Sequence, residues 1–155
     1  MKINGNKIQG TNEVPIVIPR RGKEDLVFIA SAVLDYTDHD KLNKIPVAPT
    51  RKTPEGQELP QLTDSKYLEE TNEWSLRKTH WMVLKSLETS PGLEWEDVDM
   101  DDPETWCNYQ EEMKDAGLSD LEIGLIVGAV VEACGLDQSK IDLATESFLA
   151  GREME

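Results

Sequence analysis

Cysteine and histidine are scarce in this chain of 155 residues: Cys107, Cys134, His39 and His80 are the full set. Neither cysteine belongs to a Cys-x-x-Cys pair or has a histidine nearby at metal-site spacing. Two reduced, partly buried thiols in a reducing compartment are therefore expected. Long apolar runs are missing too. The longest, Ile123 to Val131, is far shorter than the roughly 20 residues that span a bilayer. The opening Met1-Lys2-Ile3-Asn4-Gly5-Asn6 has no apolar targeting segment. A chain that is neither exported nor membrane-spanning is the expectation.

Catalytic patterns are equally sparse. A nucleophile needs a base within reach and a group that orients the base. His39 falls in the charged turn Asp38-His39-Asp40 and His80 stands beside Trp81, and neither neighbours a glycine-framed serine or a reactive cysteine in the sequence. No Gly-rich phosphate loop occurs. The expectation is a protein that is not an enzyme, with no catalytic residue and no cofactor. Asp97-Val98-Asp99-Met100-Asp101-Asp102 imitates the start of an EF-hand, but Asp102 stands where glycine makes the sharp turn and Asn108 where a bidentate glutamate closes the site. An acidic helix start is expected there, not a metal site.

Basic residues run out along the chain. Residues 1–53 carry nine Lys/Arg against six Asp/Glu, residues 54–89 four against seven, and residues 90–155 three against eighteen, for a net charge of −15. Such a surface repels phosphate backbones and attracts basic proteins, so nucleic acid is not an expected partner. The plainer reading of the same charge is a well-solvated acidic face.

What is present reads as α+β: an N-terminal β-hairpin and a Pro-rich arm, followed by a mainly helical C-terminal unit of about four helices. The segments are residues 1–45, 46–63 and 64–155, in one compact domain overall. Val14-Pro15-Ile16-Val17-Ile18-Pro19 and Asp25 to Val33 are rich in β-branched residues and predict the hairpin. Lys2 to Gln9, centred on Gly5-Asn6, is a weaker strand pair. Pro46, Pro49, Pro54 and Pro60 exclude helix and central strand, leaving a linker or an arm that orders on a partner.

Asp64 caps a predicted helix to about Glu88, with Tyr67, Trp74 and Trp81 spaced by seven along it. Asp102-Pro103-Glu104 opens another that ends near Gly117. Ser119-Asp120-Leu121-Glu122 is a capping box before the most apolar helix, Leu121 to Cys134, which stops at Gly135. Asp137 begins the last, with Ile141, Ala144, Thr145 and Phe148 as its apolar stripe. These three short helices are expected to pack together as one unit.

Gly124 and Gly128 lie one turn apart inside the apolar helix, where each glycine costs about 1 kcal/mol against alanine. Their use implies close approach of a neighbour: first the chain's own core, or else a partner helix lying in the groove. Trp81 and Trp106 read as core. Trp74 and Trp95 stay open between core and a client-binding groove. The candidate partner-binding residues are thus Trp74, Trp95, Gly124 and Gly128.

Several segments are similar to the tail assembly chaperones of long-tailed bacteriophages. They are Ala32-Val33-Leu34-Asp35-Tyr36, Trp81-Met82-Val83-Leu84-Lys85-Ser86-Leu87, Gly92-Leu93-Glu94-Trp95-Glu96, Asp102-Pro103-Glu104-Thr105-Trp106, and the stretch from Leu118 to Leu149. The resemblance covers residues 13–150. It implies a non-enzymatic protein that binds the tape-measure protein in the host cell cytoplasm, keeps it soluble and recruits tail-tube subunits. It also implies a longer frameshifted product and loss from the finished particle. No site residue is carried over, and self-association stays open. The alternatives are a virion structural protein, connector or tube-associated, and a small acidic inhibitor or adaptor of a basic host protein.

Overall fold

Segments rich in β-branched and other apolar residues, Glu13–Ile18 (β3) and Leu26–Ser31 (β4), form an antiparallel pair, Glu13 opposite Ser31 and Ile18 opposite Leu26. Ile18, Phe28 and Ala30 are buried, while Val17 and Val27, directly opposite one another, are exposed. Two strands alone are marginal in water. The cover comes from helix α4 (Asp120–Ala133), which packs across both strands. Its Ile123, Ile126, Ala129, Val130 and Ala133 are buried. The predicted capping box is formed: the Glu122 amide donates to Ser119 Oγ at 3.2 Å and the Ser119 amide to Glu122 Oε1 at 3.0 Å. At the other end Asn12 Nδ2 donates to the Ala133 carbonyl at 3.1 Å, tying the helix terminus to the start of the hairpin.

Pro15 stands opposite Ile29 and has no N–H to offer its partner. Ile29 turns its own backbone groups outward instead. Its amide donates to Ser90 Oγ at 2.9 Å, and Ser90 Oγ donates back to its carbonyl at 3.2 Å. Two residues on, Ser86 Oγ donates to the Ser31 carbonyl at 2.8 Å. Serines thus satisfy an edge that would otherwise present unpaired groups.

The computed structural model describes residues 1–135 and 138–154. The chain forms two compact units that interleave along the sequence. One comprises Met1–Val33, Ser86–Leu93 and Ser119–Glu155, the other Leu34–Lys85 and Glu94–Leu118. The first also holds a small hairpin, β1 (Lys2–Ile3) with β2 (Asn6–Lys7). Its turn is Asn4-Gly5, one residue earlier than expected, because φ of +51° and +81° suits those two residues.

The second unit contains α1 (Thr37–Leu42), β5 (Thr50–Lys52) paired with β6 (Glu58–Pro60), α2 (Ser65–Leu87) as far as Lys85, a 3₁₀ turn at Pro103–Thr105, and α3 (Asn108–Asp115). The fold is α+β, with strand pairs in the first 60 residues and helices dominating thereafter. The Tyr67 amide donates to Asp64 Oδ2 at 3.0 Å, which is the predicted cap of α2.

Within residues 46–63, Thr53-Pro54-Glu55-Gly56 turns tightly, Gly56 at φ +83°, and joins the two exposed strands β5 and β6. Three expectations are corrected. The helix expected from Pro103 begins as a 3₁₀ turn and becomes α-helical only at Asn108. The turn containing His39 is a helix, α1, begun where Asp35 Oδ1 accepts from the Thr37 amide and hydroxyl at 2.9 and 2.6 Å. The last three helices do not form one unit, because the buried face of α4 is committed to the hairpin; α3 belongs to the second unit. Helix α5 (Gln138–Glu153) has no buried residue and runs through Gly151. Its expected first residue, Asp137, lies outside the described residues. Among the described residues no helix is long and apolar enough to cross a membrane.

Ser90 holds both backbone groups of Ile29, so Ser90→Ala leaves a partly buried donor and acceptor without it. The expected loss is about 2 kcal/mol of unfolding free energy. Urea denaturation checks this, and an unchanged midpoint would show that water replaces the hydroxyl at no cost.

Candidate functional site

The side of α4 turned away from the hairpin is apolar as well. Leu121, Gly124, Leu125 and Gly128 recur at helical spacing, with Leu121 76% and Leu125 55% exposed. A Cβ built on Gly124 or Gly128 meets no heavy atom within 4 Å. The expectation that the chain's own core approaches these glycines is therefore corrected: the space beside them is open. Glu132, also exposed, continues the stripe and pairs with Lys140 of α5.

The second unit is organised around a histidine. His39 is fully buried and ringed by Tyr36, Trp74, Trp81 and Trp106, at centroid distances of 6.3, 6.2, 5.5 and 6.0 Å. Asn43 decides its tautomer. Asn43 Nδ2 donates to the Trp74 carbonyl at 3.1 Å, a group that can only accept, and lies 3.0 Å from His39 Nε2. Nε2 must then accept, so Nδ1 carries the proton and donates to Asp40 Oδ1 at 2.9 Å. Trp74 Nε1 returns a bond to the Asn43 carbonyl at 3.2 Å. The two bonds between Asn43 and Trp74 tie the end of α1 to α2.

Trp74 is thus half-buried and engaged, its ring also 5.1 Å from Lys78 Nζ. Trp95 is half-buried and meets Tyr109 edge-on at 6.3 Å. Trp81 and Trp106 are buried, as their reading as core requires. The two candidate tryptophans belong to one unit and the two glycines to the other, so neither unit unites all four. Sequence reasoning missed His39 as a packing centre. The signal was the spacing of Tyr36, His39 and Asn43, which puts all three on one face of a short helix.

Two carboxylates of the acidic run cap turns. Asp99 Oδ1 accepts from the Asp101 amide at 2.9 Å and Asp102 Oδ1 from the Glu104 amide at 3.2 Å. The neighbouring loop is held by Glu112, whose carboxylate accepts from the Glu96 and Asp97 amides at 2.6 and 3.3 Å. No cluster of three or more metal-ligating side chains occurs among the described residues. Cys107 is exposed, not partly buried as expected, and lines a surface hollow with His80, Glu73 and Arg77. Its thiol faces the Glu104 carbonyl at 3.7 Å and Asn108 Oδ1 at 3.8 Å, both acceptors, so its proton is engaged locally. No protein-family model, curated protein or solved structure matches the chain.

Two outcomes test this description. Because the α4 glycines face open space at helical φ, Gly124→Ala and Gly128→Ala should each raise the stability of the single chain by about 1 kcal/mol. A loss measured by denaturation at low protein concentration would mean that something close lies against that face. Burial holds His80 below its ordinary value of 6.5, so the unfolded chain takes up its proton first. That contribution to stability is full above about pH 6.5 and is lost as pH falls below it. Unfolding free energy should drop as pH falls through about 6.5, and His80→Gln should flatten part of the slope. An identical slope in the variant would remove His80 from the account.

Proposed function

We propose that this protein is a non-enzymatic holder of helical segments, acting as a tail assembly chaperone that binds the tape-measure protein in the host cytoplasm and helps recruit tail-tube subunits. The observation that carries the reading is the open stripe Leu121, Gly124, Leu125 and Gly128 on the most apolar helix. Glycines one turn apart give up helix stability without any packing return within the chain. An incoming helix can recover it by lying close to the bare backbone, with Leu121 and Leu125 as apolar anchors. The surrounding acidity favours a client with Lys or Arg beside its apolar stripe and speeds encounter with it. Trp74 is occupied by Asn43 and Lys78, which leaves the α4 face as the better docking surface.

Co-expression with the tape-measure protein of the same genome tests this. Gly128→Leu has room in the free chain, so its melting temperature should hold while the client loses solubility. Full client solubility with this variant would overturn the reading. So would recovery of the protein in fixed number from purified particles, which marks a virion component.

A further inference from the structure

We infer that in the free protein the open face of α4 is filled by helix α5 of a second copy, exchanged reciprocally about a two-fold axis. This rests on the reading of that face as a helix-binding surface: client and second copy then compete for it.

The two helices match in register. Helix α4 has 14 residues and α5 has 16, about 21 and 24 Å long. Acids stand near both ends of α4, Asp120 and Glu132, twelve residues apart; bases stand near both ends of α5, Lys140 and Arg152, also twelve apart. Laid antiparallel with Glu132 opposite Lys140, Asp120 falls opposite Arg152. The same register sets Ala144 against Gly128 and Phe148 against Gly124. The bare glycines thus receive the small and the aromatic member of the α5 stripe, and Ile141 falls beside Val131.

Three observations support exchange. Helix α5 has no buried residue, Ile141 being 48% and Phe148 61% exposed, so the single chain does not seat it on its own α4. The end pair of the register, Lys140 with Glu132, already forms within the chain, so its chemistry is available. Arg152 lies over the Phe148 ring at 5.7 Å, which puts the second base on the same face as the aromatic. Exchange is a low-cost route to a dimer, since each copy supplies one filled and one filling face. Lys140 and Arg152 are the only bases between residues 119 and 155, and the register spends both on the partner's acids.

Sedimentation equilibrium of the full chain over a wide concentration range reads the association. Wild type should rise from one chain mass towards two. Gly124→Leu, which fits the single chain, should stay at one chain mass without a lower melting temperature. Arg152→Glu should weaken association at least tenfold, and adding Asp120→Arg should restore it. With Cys107 and Cys134 replaced by serine, Gly128→Cys together with Ala144→Cys should oxidise to a covalent dimer. One chain mass at every concentration, a dimer untouched by Gly124→Leu, or a disulfide formed only within one chain would overturn the exchange. No client is present in these measurements. A monomer that still keeps the client soluble overturns the exchange alone, and a dimer that fails to do so overturns the holding function alone.

Discussion

Two strands with one apolar side cannot stay folded in water unless something covers that side, and here the cover is a single face of α4. That contact sets the orientation of the most apolar helix in the chain. Ile123, Ile126, Ala129, Val130 and Ala133 are drawn onto β3 and β4. By helical geometry, Leu121, Gly124, Leu125 and Gly128 must then point away. The open stripe is a consequence of the hairpin's need for cover.

Polar groups are settled as consistently as apolar ones. Pro15 removes a ladder donor, Ile29 turns outward, and Ser90 satisfies both of its backbone groups with one hydroxyl. In the other unit Asn43 links a histidine, a tryptophan carbonyl and a tryptophan indole. Among the described residues no buried side-chain nitrogen or oxygen lacks a partner. Large apolar side chains also stay exposed, Leu121 and Leu125 on α4 among them.

Much of the architecture is legible along the chain. Val14 to Pro19 and Asp25 to Val33 announce the hairpin, Asp64 and Ser119 announce helix starts, and Tyr67, Trp74 and Trp81 announce an aromatic side of α2. Each signal is local, a cap or a period that acts over a few residues. The hairpin at residues 50–60 escaped because prolines mask strand propensity, while a tight turn at Thr53-Pro54-Glu55-Gly56 makes a proline-bearing pair acceptable. Helix α1 escaped because six residues carry too little periodicity to stand out, and its warrant is the long-range packing of His39.

Composition and local pattern alone determined the acidic C-terminal half, the order of strands then helices, the capping box, and the anomaly of two glycines in an apolar helix. All follow from residue types and spacings within one or two turns. Which side of α4 those glycines occupy was decided only in the tertiary structure. Both sides of that helix are apolar, so periodicity could not choose between them. The choice fell when the hairpin, far earlier in the chain, took the side with Ile126 and Val130 and left the glycines facing outward.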